Sequence, residues 1–207
     1  MKVLLINGSP HVKGCTATAL EEVAHTLNKC GIDTKTSWIG ARPISGCVAC
    51  NQCRTTGQCV FNNDMVNIVA AEASECDGFV FGSPVYYASP NGTLLSFMDR
   101  LFYSAAEKLE FKPAACIVSC RRGGATASFD VINKYFSINN MPIVTSQYWN
   151  QVHGNTPDEV RQDAEGLQTM RTLARNMAWM LNCIEAGKAR GLNHPELEPW
   201  QNTNFIR

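Results

Sequence analysis

The chain has 207 residues, 45% of them hydrophobic, and its eighteen basic side chains are balanced by eighteen acidic ones. That length suits one substantial core and falls short of two full domains, while the cancelled charge, with no basic run interleaved with aromatics, leaves no electrostatic footprint for nucleic acid or anionic lipid. No stretch approaches the roughly eighteen apolar residues of a membrane span, and the first apolar run stops at Asn7-Gly8-Ser9-Pro10, too soon for a secretory leader; a cytoplasmic protein that touches no membrane is expected.

In chain order, residues 2–6 read as a short buried strand, and residues 16–29 carry helical spacing at Leu20, Val23, Ala24 and Leu27, with Gly31 closing the helix. Strand character over 34–39 completes a βαβ unit. Asp64 suits the N-cap of a helix bearing Met65, Val66, Ile68, Val69 and Ala70, and residues 78–81 form a strand ending at Gly82-Ser83-Pro84. A helix from Asn91 to about Ala106 places Leu94, Leu95, Met98, Leu101 and Phe102 on its apolar face, and is followed by a strand over 114–119. Residues 125–136 make the next helix, with Phe129, Ile132 and Phe136 on one side; 142–145 supply a fifth strand, and a long helix capped by Thr156 or Asp158 reaches Glu185. Five apolar strands alternating with five helices predict an α/β fold, a parallel sheet covered on both faces. The tail after Gly187, carrying Pro195 and Pro199, reads as irregular and is expected to pack on the body or on a partner subunit.

In such a sheet, ligands sit beyond the carboxyl ends of the strands, where the strand order reverses. Three strand ends carry distinctive loops. The first, 8–17, is rich in Gly and hydroxyls, contains Lys13, and leads into a helix, so its backbone amides suit a phosphate. It meets neither G-x-x-x-x-G-K-[ST] nor G-x-G-x-x-G, which points away from nucleotide and dinucleotide fingerprints and toward a monophosphate; a Gly-Ser-Pro turn is also an ordinary strand-to-helix connection. The second, 82–92, repeats Gly-Ser-Pro and adds Tyr86 and Tyr87, which suit a flat heteroaromatic ring or ordinary half-buried packing. The third, 119–126, sets Arg121 and Arg122 beside Gly123 and Gly124, a pair of cations for a nicotinamide-cofactor phosphate or a reduced ring, or simply solvated surface charges.

Cys47, Cys50, Cys53 and Cys59 follow the spacing C-x2-C-x2-C-x5-C, which brings four thiols within reach of one centre. An iron-sulfur cluster, a zinc ion, and thiols left free or joined as disulfides are the three readings of the run; zinc sites prefer two knuckles with a longer spacer. Cys30, Cys76, Cys116 and Cys183 read as small buried hydrophobes. Trp149, Asn150 and His153 follow the fifth expected strand and could face the ligand, although His153 taken alone is more often a loop histidine with a local hydrogen bond. A serine hydrolase is disfavoured, because no G-x-S-x-G elbow occurs.

Gly8-Ser9-Pro10 with Gly14 and Thr16, the run from Gly82 to Tyr87, and the glycine-rich loop after the fourth strand together resemble the flavodoxin-like, NAD(P)H-dependent FMN reductase family over roughly residues 1–185. Within that family the cysteine run is similar to that of the iron-sulfur flavoproteins, whose four cysteines hold a [4Fe-4S] cluster next to FMN. The resemblance implies a flavodoxin-like, doubly wound five-stranded sheet of order 2-1-3-4-5, a domain over 1–187 with a cysteine-rich insertion at 46–60, and a tail over 188–207. It implies that Ser9, His11, Lys13, Cys15, Thr16 and Ala17 surround the FMN phosphate, with His11 and Cys15 standing where the family commonly has Arg and Asn. Pro84, Val85, Tyr86 and Tyr87 would then line the ribityl chain and one side of the ring, and Arg121, Arg122, Gly123 and Gly124 would approach the pyrimidine end. The chemistry expected is flavin-centred, with no side-chain acid or base assigned. Electrons would pass from NAD(P)H or a protein carrier through FMN, with or without a cluster, to a small-molecule or protein acceptor, in a homodimer or homotetramer. A cluster-free quinone, flavin or nitro-compound reductase and a non-redox phosphate-binding regulatory module are the competing expectations.

Overall fold

The computed structural model describes residues 1–203 and 205. Strand β1 (Lys2–Asn7) lies between β2 (Asp33–Trp38) and β3 (Gly78–Tyr86), and β5 (Ala114–Cys120) and β6 (Gln151–His153) continue the parallel sheet in the order β2-β1-β3-β5-β6. The two-residue strand β4 (Ser89–Pro90) folds back antiparallel on β3, so that the five parallel strands alone run in the order 2-1-3-4-5.

Because successive side chains of a strand point to opposite faces, the continuous apolar strands feed two cores. Leu4, Ile6, Phe79, Phe81, Ala114 and Cys116 pack beneath helices α3 (Val66–Ala73), α4 (Gly92–Leu109) and α5 (Ala125–Ile138). Val3, Leu5, Val80, Ala115 and Ile117 pack on the other face beneath α1 (Cys15–Lys29) and α7 (Ala164–Lys188). The remaining helices are short: α2 (Cys53–Thr56) and α6 (Pro157–Gln162). No element follows Lys188 among the described residues, but His194 stacks on Phe111, with centroids 4.2 Å apart, and ties that part of the tail to the body.

Three elements depart from the sequence reading. The expected strand at 142–145 touches the sheet only through one bridge between Ala114 and Ile143. The chain then turns away, with Ser146 Oγ within 2.6 Å of Tyr148 O and 2.7 Å of Asn150 Oδ1, and rejoins the sheet as β6, where Val118 faces Gln151. The expected helix from Thr156 to Glu185 is two helices. Thr156 caps α6, whereas Asp163 (φ −74°, ψ 79°) leaves the helical region and caps α7 by accepting from Gly166 N at 2.9 Å. Its other carboxylate oxygen accepts from His153 N at 2.6 Å, so the break fastens the end of β6. Finally, β3 does not stop at Pro84 but extends into a hairpin whose turn residues Tyr87 and Ala88 both have positive φ, 51° and 58°, as a type I′ turn requires.

Candidate flavin and cysteine sites

Beyond β1 the chain must turn sharply between its neighbours. Gly8 N donates to Gly82 O at 2.9 Å, and a Cβ on Gly8 would stand 2.8 Å from that oxygen. A Cβ on Gly82 would meet Thr16 and Leu20 at 2.8 and 2.9 Å, so both Gly-Ser-Pro glycines exist for one close approach. The buried Asn7 side chain accepts from Ser9 N at 3.0 Å, Ser9 Oγ accepts from His11 N at 3.1 Å, and Trp38 Nε1 donates to Ser9 O at 2.8 Å. These bonds fix the loop from within. Helix α1 then begins without a side-chain cap and without an acidic residue in its first turn. Its first α-helical bond is Thr18 N to Gly14 O, which leaves the amides of Cys15, Thr16 and Ala17 as the orphan donors of a helix N-terminus. His11 and Lys13 are exposed beside them, and neither makes an ion pair among the described residues.

The other two loops converge on the same end. Thr16 Oγ1 and the Ser119 hydroxyl are 2.8 Å apart, joining α1 to the end of β5. Gly124, with φ 87°, lies so close to the hairpin that a Cβ there would stand 2.7 Å from Ala88 Cα and 2.9 Å from Val85. Pro84 and Val85 are half-buried, Tyr86 is exposed, and Tyr87 is fully exposed at the hairpin tip. Arg121, Arg122 and Gly123 are exposed, and neither arginine pairs with a carboxylate among the described residues. The Cys15 thiol points to Gly154 O at 3.7 Å, and burial raises the pKa of Cys15 and of Cys120, so both stay protonated thiols at neutral pH. Trp149 is half exposed and Asn150 is buried with its Nδ2 lacking a partner among the described residues; neither is joined to the three loops by a hydrogen bond.

The cysteine segment forms a second centre on the α4 side of the sheet. Cys47, Cys50, Cys53 and Cys59 all line one shallow pocket, together with Val48, Asn51, Phe61, Arg100 and Tyr103. Ala49 and Asn51 adopt φ of 52° and 59°, so the chain reverses curvature on both sides of Cys50. Tyr103 of α4 holds the segment: its hydroxyl donates to Asn51 Oδ1 at 2.8 Å and accepts from Arg54 at 3.1 Å. No three His, Cys, Asp or Glu side chains among the described residues converge tightly enough for a single metal ion.

Sequence reasoning missed Asn7, Trp38, Ser119, Tyr103 and the pair Arg100–Asp64. Only Arg100 carried a signal, as a charge three residues after Phe97 on an otherwise apolar stripe; it is 1% exposed and needs a partner. Burial works against its charge, but hydrogen bonds to Asp64 and Cys59 outweigh that and raise its pKa.

The family model described as NADPH-dependent FMN reductase matches residues 1–156. The chain belongs to that family. Among curated proteins, it is 29% identical over 196 residues to an iron-sulfur flavoprotein of Methanocaldococcus jannaschii, covering 89% of this chain and all of the relative. It is 24% identical over 192 residues to the iron-sulfur flavoprotein of Methanosarcina thermophila, covering 91% and 99% of the two chains. Among solved structures, RosB with a bound formylated riboflavin-phosphate intermediate superposes with a TM-score of 0.72 at 13% identity, covering 100% of this chain and 93% of that one. An archaeal flavodoxin superposes at 0.60 and 13% identity, covering 88% and 99%. The fold of this FMN reductase family member is therefore flavodoxin-like, and the family is one of FMN-binding flavoproteins.

Proposed function

We propose that this FMN reductase family member is an oxidoreductase that takes electrons from NAD(P)H or a protein carrier and passes them through FMN and a [4Fe-4S] cluster to an acceptor. The observation that carries the flavin half is the uncapped N-terminus of α1, whose orphan amides at Cys15, Thr16 and Ala17 face the switch point between β1 and β3. Those amides, with the hydroxyls of Ser9 and Thr16 and the charge of Lys13, hold the phosphate; His11 adds a ring donor at the rim. Pro84, Val85, Tyr86 and Tyr87 hold the ribityl chain and one side of the ring, and Gly124 keeps that hairpin against the third loop, where Arg121, Arg122 and Gly123 meet the pyrimidine end. These arginines, without a carboxylate partner among the described residues, also suit the phosphates of NAD(P)H.

FMN, when bound, supplies two-electron exchange with a nicotinamide and one-electron exchange with a cluster. The protein's part is to position the cofactor, shield it and offset the charge it gains. The C-x2-C-x2-C-x5-C spacing of four cysteines that line one pocket suits a cluster better than zinc, whose sites prefer two knuckles with a longer spacer. The curated relatives that bear the name iron-sulfur flavoprotein support the same assignment. Association into a dimer or tetramer belongs to this reading and is supported by the exposed Tyr87, Trp149 and Ile138; light scattering checks it.

The visible spectrum of protein purified without oxygen tests the proposal. Flavin bands superimposed on a broad absorption that bleaches with dithionite are expected. Flavin bands alone would leave a cluster-free reductase, and a colourless protein that does not take up FMN would leave a non-redox phosphate-binding module.

A further inference from the structure

Arg100 is the largest fully buried side chain of the described residues, and it is a cation. All five of its N–H groups are engaged. Nε donates to Cys59 Sγ at 3.2 Å; Nη1 donates to Ser45 O at 3.3 Å and to Asp64 Oδ2; Nη2 donates to Phe61 O at 3.0 Å and to Asp64 Oδ1 at 3.3 Å. The guanidinium also lies 5.1 Å from the Phe61 ring centroid. One side chain from α4 thus grips the cysteine segment before its first cysteine, at its last cysteine, and beyond it.

Holding a segment does not by itself require a buried charge, since replacing such an ion pair by apolar side chains is often neutral or stabilising. What distinguishes this one is its target. Among the four cysteines, only Cys59 has a charged donor on its sulfur; Cys53 Sγ has Tyr103 O at 3.8 Å, an acceptor, and hydrogen bonds to the other two sulfurs are absent among the described residues. Hydrogen bonds to ligand sulfurs and nearby net charge are two of the levers that set a cluster's reduction potential.

Resting on the cluster assignment above, we infer that Arg100 is a positioning residue that raises the reduction potential of the cluster through its hydrogen bond to Cys59, with Asp64 as the counter-charge that limits the rise. The step concerned adds one electron, drawn from the reduced flavin of the same protein; no bond breaks and no proton moves. The fixed guanidinium offsets the added negative charge beside the Cys59 sulfur. Its hold on both ends of the segment keeps that sulfur in place while the charge changes.

Two variants with opposite expected signs test this, read by potentiometric titration of the cluster with bound FMN as an internal reference. Arg100→Lys keeps the charge and a partner for Asp64 but loses the planar fork and the Nε–H bond to sulfur. It is expected to lower the equilibrium constant for one-electron reduction of the cluster about tenfold, which corresponds to about 59 mV, with the flavin potential unmoved. Asp64→Asn keeps that bond and removes the counter-charge, and is expected to shift the cluster the other way. A cluster potential that stays at the wild-type value in either variant, or that moves in the same direction in both, overturns the inference while the cluster assignment stands. Should Arg100→Lys hold no cluster, the sign for Asp64→Asn decides alone, a rise supporting the inference and no rise overturning it. A wild-type protein that binds no cluster overturns both the assignment and the inference.

Discussion

Gly8→Ala probes the close approach on which the flavin site is built. The added methyl would stand 2.8 Å from Gly82 O and 2.8 and 2.9 Å from the two methyl carbons of Leu94, itself fully buried. The carbonyl cannot retreat, because Gly82 is held in register opposite Asn7 on one side and Ile117 on the other. Overpacking of this kind costs about 1–3 kcal/mol, and loss or stretching of the bond from Gly8 N to Gly82 O adds about 0.5–1.5 kcal/mol. For a domain of this size each kcal/mol lowers the melting temperature by about 2–4 °C, so the flavin-free variant should melt roughly 5–15 °C below wild type by calorimetry. FMN affinity, followed by quenching of flavin fluorescence, should fall with it, because the strained residue directly precedes Ser9. A variant that melts within 1 °C of wild type and binds FMN equally well would refute the claim that this contact shapes the loop.

Lys13→Ala should weaken FMN binding about two- to fivefold, as expected for an exposed charge, and leave riboflavin binding unchanged in parallel titrations, since riboflavin lacks the phosphate; equal losses for both ligands would remove Lys13 from the phosphate site. In a double-mutant cycle, Thr16→Val and Ser119→Ala should be coupled by about 0.5–1.5 kcal/mol in urea unfolding, the size of one buried hydrogen bond, and additive losses would show that the 2.8 Å contact contributes nothing. Glu72 is half-buried; burial pushes its pKa up, but hydrogen bonds from Ser37 at 2.6 Å and Lys35 at 2.9 Å prevail and hold it below the ordinary 4.5. A depressed carboxyl stabilises the fold above its unfolded pKa and loses that contribution as pH falls through the folded value. Wild type should therefore exceed Glu72→Gln in urea midpoint at pH 7, with the gap closing below about pH 4.5, and a gap independent of pH between 3 and 7 would contradict it.

The sheet was legible because its central strands β1, β3 and β5 are largely apolar and buried, the pattern of strands covered on both faces, and because glycines and prolines punctuate their ends; the polar edge strand β2 lacks that pattern. The hairpin was not: its turn uses Tyr87 and Ala88 at positive φ, where the usual signals are glycine and asparagine, so the segment reads as an aromatic loop. The last strand was misplaced because Pro142, Ile143 and Val144 have stronger strand character than Gln151, Val152 and His153. The latter join the sheet through backbone bonds to β5, and the end of that strand is held by Asp163, ten residues on, which no local pattern reveals. The same applies to the long helix, whose break depends on that carboxylate facing two backbone amides at once. Of the candidate site, the residue types and their loops were readable. The supports were not, because Asn7, Trp38 and Ser119 act through single long-range or backbone hydrogen bonds that leave no periodicity behind.

What the purified protein carries decides between these assignments. Quantifying FMN, iron, acid-labile sulfide and zinc per chain in protein isolated and reconstituted without oxygen is the most direct measurement. One FMN per chain, iron and sulfide in equal amounts, and loss of the iron but not the FMN on Cys59→Ala are expected. Protein that takes up no FMN would contradict the flavin assignment, and zinc in place of iron and sulfide would contradict the assignment of the four cysteines.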